Sequence, residues 1–172
     1  MMCVIAICGF AGNKYVYVKS NNANVRAKAI SSGRVLMKVG RDLYPMYGSS
    51  GAWYRVEAGD VIDWVAGYIN KSVCIAVEDT GFGKTESKNT YSIVGDGFTG
   101  NLVFSPGTQG MLKYKFSVKK GAKVINSGSG ETELTSEGLS QVYDHGYGGC
   151  APVVYDANTG LLFFAGYLWK KN

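Results

Sequence analysis

Histidine is nearly missing from this 172-residue chain: there is one, His145. Cysteine occurs four times, with no C-x-x-C pair, and proline three times. A Cys/His zinc site needs several such ligands at close spacing, so no metal site is expected, and no other cofactor. Charged residues make up 18% of the chain against 46% hydrophobic. A disordered chain shows the reverse balance. No apolar run reaches the ~20 residues of a membrane-spanning helix, and no stretch carries amphipathic helix patterning. What is abundant is glycine, at 24 residues, together with 12 tyrosines. That glycine share is about twice the usual one. It follows no G-x-y period, which excludes collagen. The length suits one ordinary domain or two small ones, and the composition points to β structure with many turns.

The formal charge is +5, and it sits in the first half. Residues 1–77 hold nine Lys/Arg against four Asp/Glu; residues 78–172 hold nine of each. An excess of this size favours acidic partners, or simply keeps a small domain soluble. Residues 1–11 are apolar and uncharged. They read as a signal-peptide remnant cleaved after Ala11, with Gly9 and Ala11 as the small residues, or as a first strand. With that cleavage only Cys74 and Cys150 remain, and one disulfide between them is possible in an oxidising compartment.

Along the chain, short alternating segments are bounded by turn residues. Tyr15–Val18, Arg34–Val39, Asp42–Tyr47, Ala52–Val56 and Asp63–Ala66 read as strands. Pro45 suits an edge or a bulge. Alternation puts Trp53 and Arg55 on one face and Tyr54 and Val56 on the other. Turns every 8–12 residues predict a small barrel. Residues 78–84, with Gly81 and Gly83, read as a linker. Beyond it, strands are expected near 91–94, 102–104, 111–118, 122–125, 132–134, 140–143, 152–155 and 161–169. Asp156-Ala-Asn-Thr-Gly160 reads as a hairpin loop. The expected fold class is all-β: a small barrel over 14–77 and a second antiparallel β domain over 85–172, a sandwich or small barrel.

Several segments of the first half occur in a recognisable order. They are Asn24-Val25-Arg26, Ser31-Ser-Gly33, Val35-Leu36, the strand from Gly40 to Tyr47, Gly51-Ala-Trp53-Tyr54-Arg-Val56, Asp63-Trp64-Val65, and Tyr68-Ile69. In that order and spacing the stretch from Asn24 to Ile69 resembles the bacterial SH3 domain, SH3b. Ala23 stands where that family usually has Leu, Lys28-Ala29 replaces a common Gly-Pro, and Asp63 replaces the Gly before Trp. The resemblance implies an SH3-like barrel that is not catalytic. Its ligand would be a peptidoglycan peptide or another envelope ligand, taken in a groove between surface loops. Tyr47, Trp53 and Tyr68 are the expected ligand contacts, because flat rings suit stacking and packing at low entropic cost. Trp64 and Tyr54 are expected in the core. If residues 1–11 are a truncated signal peptide, the expected location is extracytoplasmic. The expected partners are cell-wall peptide or glycan, or an envelope protein, with no nucleic acid, and a structural or protein-interaction subunit is a further alternative. No family is identified for the second half.

One stretch suggests chemistry of another kind. Asp144-His145-Gly-Tyr-Gly-Gly149-Cys150 offers a thiol and an imidazole across a glycine loop, the ingredients of a cysteine nucleophile with its base. Cys150 and His145 would then form a small cysteine hydrolase, with the SH3b-like part as targeting module. The competing reading is a tight turn with a buried or disulfide-linked Cys150. Gly81-Phe-Gly83-Lys84-Thr85 is similar to the end of a phosphate-binding loop, but Glu78 stands where that pattern needs glycine, so nucleotide binding is not expected.

Overall fold

Turn-rich segments without helical periodicity have only each other to pair with, and the chain is all β. The computed structural model describes residues 14–59, 63–83, 85–95, 97–108, 111–133, 141–144 and 149–172. Residues 1–13, and with them the expected signal remnant, lie outside the described residues, as does His145. The chain divides into two compact units, 1–76 and 77–172. Their cores form from two antiparallel seven-stranded sheets, one per unit.

The first unit is built from β1 (Lys14–Val18), β2 (Ala23–Arg26), β3 (Val35–Val39), β4 (Leu43–Ser50), β5 (Trp53–Ala58), β6 (Val65–Asn70) and the start of β7 (Cys74–Glu78). Its sheet runs β3-β2-β6-β5-β4-β1-β7. β4 serves two neighbours in turn: Leu43 to Pro45 pair with β1, and Met46 to Ser50 pair with β5. Pro45 sits at this changeover, inside the sheet rather than at its edge. A bulge follows between Met46 and Gly48, the local irregularity that bends a strand. The face turned inward buries Val16, Val18, Val25, Val56 and Ile69. Gly67 is fixed by close approach, because a Cβ there would lie 2.6 Å from Val25 Cγ1 and 2.8 Å from the Arg26 carbonyl. Any side chain would push β6 off β2.

The second unit contains β8 (Thr90–Ile93), β9 (Phe98–Pro106), β10 (Met111–Lys120), β11 (Lys123–Glu133), β14 (Val154–Asp156), β15 (Leu161–Phe164) and β16 (Tyr167–Lys171). They form one sheet in the order β11-β10-β9-β8-β16-β15-β14. A separate two-stranded sheet pairs β12 (Gln141–Asp144) with β13 (Gly149–Pro152). Four strand spacings separate β10 from β15, about 19 Å in a flat sheet. Yet the Tyr114 and Phe164 rings are 5.0 Å apart, and the Phe104 and Phe164 rings 5.3 Å. The sheet must therefore curl over its own aromatic face, and the second unit is a half-barrel rather than a sandwich. Trp169, fully buried, donates its indole N–H to the Phe164 carbonyl at 2.9 Å, which satisfies its one polar atom inside that core.

Three local expectations change. Residues 78–83 are not a linker. Phe82 is buried in the aromatic core, 5.1 Å from Phe104, and Thr80 donates its N–H to the Tyr155 carbonyl at 2.7 Å. The separate strands expected near 122–125 and 132–134 belong to one long strand, β11. The strand expected over 161–169 is a hairpin, turned at Ala165 and Gly166 with both φ values positive.

Candidate functional site

In β5 the buried positions are Val56 and Ala58, and in β6 they are Gly67 and Ile69. Strand alternation then puts Trp53, Arg55 and Glu57 of β5, and Ala66, Tyr68 and Asn70 of β6, on the opposite, outer face. Tyr47, at the bulge in β4, reaches the same face through its contact with the outward Glu57. Its hydroxyl donates to Glu57 Oε2 at 2.7 Å. The three aromatics expected to contact ligand therefore share one face of one sheet. They lie on the sheet itself rather than between surface loops.

The register orders them. Tyr68 stands opposite Arg55 on one side and opposite Arg26 of β2 on the other. Trp53 stands opposite Asn70, which makes Trp53 and Tyr68 diagonal neighbours, a spacing of about 7–8 Å that suits contact between large rings. Arg26 is oriented by its own hydrogen bond, Nη1 donating to the Gly33 carbonyl at 2.7 Å. Tyr47 is 42% exposed, while Trp53 and Tyr68 are half-buried. The result is a row of cation, ring and cation across three strands. A tryptophan lies beyond one side of the row, and a tyrosine anchored to a carboxylate lies beyond the other. Such a face can pack a short extended chain against its rings and pair a carboxylate with an arginine.

Trp64 is not in the core. At 59% it is the most exposed of the large hydrophobic side chains described, and it stands immediately before β6 at the Glu57 end of the same strands. Tyr54 does pack on the core, with Lys71 Nζ 5.0 Å from its ring centre. The arginines flanking Tyr68 were visible in the sequence only in part. Alternation put Arg55 beside Trp53, but nothing local pairs Arg26 with Tyr68, 42 residues away.

The thiols are placed differently from expectation. Cys74 is free and buried in the core of the first unit. Burial pushes its pKa up to about 12, only partly countered by Lys19, the opposite of an activated nucleophile. Cys150 lies on β13, opposite Tyr143 of β12. The pairing of Cys150 with His145 falls outside the described residues. On the second unit's sheet, a shallow groove of about 600 Å³ is lined by Val103, Ser105, Lys113 and Glu131 among others. Lys113 and Glu131 pair with each other at 3.4 Å. Among the described residues no helix is long and apolar enough to cross a membrane.

No protein-family model, curated protein or solved structure matches the chain.

Proposed function

We propose that the first unit is an SH3b-like binding module of a bacterial cell-envelope protein. It takes a peptidoglycan peptide or a similar envelope ligand on the outer face of β4, β5 and β6. The observation that carries this reading is the gathering of Tyr47, Trp53 and Tyr68 on one face, with Arg55 and Arg26 flanking Tyr68. The segments of the SH3b resemblance support it too. Asn24-Val-Arg lies on β2, Val35-Leu on β3, Trp53-Tyr-Arg-Val on β5 and Tyr68-Ile on β6, all in one unit.

Recognition is non-catalytic. Trp53 and Tyr68 supply rigid apolar area, and the arginines pair with the ligand's carboxylates, the combination that dominates binding hot spots. Trp64 extends the aromatic surface at the far end. The work is done outside the cytoplasm, where wall peptide is found. The test is co-sedimentation of the whole chain with purified peptidoglycan. Retention should fall sharply with Trp53→Ala or Tyr68→Ala, and equal retention of all three proteins would refute the reading.

A further inference from the structure

The β10–β11 hairpin runs past the core it belongs to. Val118 is its last fully buried residue, and every residue from Lys119 to Ser127 is exposed. The turn is made at Gly121, in the left-handed region at φ 60°. This tip carries Lys119, Lys120 and Lys123, none of them paired with an acid among the described residues. Next to them lie two large apolar side chains, Val124 at 49% exposure and Ile125 at 44%.

In a strand that covers a core, successive residues face opposite ways and one of two neighbours is buried. Here both are exposed, because a bulge falls between Val118 and Lys119 and the core has already ended. The register brings two more segments to the same end of the sheet. Lys120 pairs with Phe98 at the start of β9, and Phe164 pairs with Tyr167 across the turn at Ala165 and Gly166. The described residues of these segments (94, 95, 97, 98 and 165–167) include no acid; Asp96 lies outside the described residues. Among the described residues, this end of the half-barrel presents three cations without an acidic partner around two exposed aliphatic side chains, with the core-packed Phe98 and Tyr167 alongside.

We propose that this end of the second unit docks on the surface of an anionic lipid bilayer. Lysines draw such a tip to anionic headgroups, and Val124 and Ile125 enter the interface beneath them. The apolar pair favours a bilayer, whose interface accepts aliphatic side chains along with basic ones, over a nucleic acid, which is held mainly through its phosphates and takes aliphatic side chains only at base steps or thymine methyls. Two aliphatic side chains and three cations make a weak, reversible attachment, weaker than a spanning helix by far.

The test is sedimentation of the full chain with phosphatidylcholine vesicles, with and without about a third phosphatidylglycerol, over a range of lipid and salt concentrations. Binding is expected only to the anionic vesicles and should weaken as salt rises. Replacing Lys119, Lys120 and Lys123 together by Ala should reduce partitioning on the order of a hundredfold, about fivefold per lysine. Val124→Ser with Ile125→Ser should reduce it several-fold with the lysines intact. These side chains are solvent-exposed, so the thermal melt of both variants should match the parent and exclude misfolding. No binding, equal binding to neutral vesicles, or binding that survives the lysine changes would overturn the proposal. So would anionic binding that the Val124 and Ile125 changes leave untouched, because a soluble polyanion would then fit equally well.

Discussion

The carboxylate of Asp156 accepts the backbone N–H of Glu78 at 3.2 Å, joining residues 78 positions apart. It also accepts from Asn158 at 2.9 Å and Thr159 at 3.1 Å, so one buried acid closes the β14–β15 turn and holds the start of the strap at 78–83. Burial alone would raise its pKa, but the N–H groups of Glu78, Thr159 and Asn158 hold it below the ordinary carboxylate range. A group whose folded pKa is lowered stabilises the fold above its unfolded pKa, about 4, and that stability is lost as pH falls through the folded value. Denaturant unfolding followed from pH 7 downward should show this loss beginning below pH ~4. Asp156→Asn should flatten that acid limb, and Asp156→Ala should cost about 3 kcal/mol at neutral pH, because the three donors lose their charged acceptor.

Cys74 makes the opposite prediction at the other end of the pH scale. Its thiol and the Tyr44 hydroxyl are both pushed up to about 12, in each case chiefly by burial, with Asp42 adding to the rise at Tyr44. Groups raised in the folded state stabilise it below their unfolded values and withdraw that support as pH climbs toward the folded ones. The first unit should therefore lose stability between pH ~9 and 12. At pH 7.5 the thiolate fraction of Cys74 is negligible. Peptide mapping after brief iodoacetamide treatment should find Cys74 unmodified in the folded protein and modified in denaturant. Rapid labelling of the folded form would contradict its burial.

The tryptophans should separate cleanly in a stability measurement. Trp169 is enclosed by Phe116 and Tyr167 at ring distances of 6.1 and 6.0 Å and donates to Phe164. Trp169→Ala should cost about 3–5 kcal/mol. Trp64→Ala should change stability by less than about 0.5 kcal/mol, as surface changes do. If it also weakens ligand binding, Trp64 belongs to the recognition face; a large loss of stability would mean its ring is covered after all.

Much of this architecture is legible locally, and what is not depends on distant partners. The alternation over Met111–Val118 marks β10, and the Asp156–Gly160 turn chemistry marks the β14–β15 hairpin. β11 is hidden because Gly128 and Gly130 weaken the strand signal. They are tolerated because the rings of Phe116 and Tyr114, directly opposite, lie over them: a Cβ at Gly128 would come within 2.6 Å of the Phe116 ring, and one at Gly130 within 2.7 Å of the Tyr114 hydroxyl. The turn at Ala165-Gly166 lacks the Asn-Gly or Asp-Gly signature of a tight hairpin. Residues 78–83 look like a linker because only the folded unit shows that Phe82 fills an aromatic core. At the candidate site, period-two alternation suffices to put Trp53 with Arg55, whereas the pairing of Arg26 with Tyr68 needs the sheet order.

The most direct test of the recognition face is a chemical-shift map. The full chain, labelled with ¹⁵N, would be titrated with peptidoglycan stem peptide released from purified wall. The account predicts shifts clustered at Tyr47, Trp53, Arg55 and Tyr68, with the buried Val56 and Ile69 amides moving less, and their loss in Trp53→Ala. Shifts confined to the second unit, or none at millimolar peptide, would contradict it.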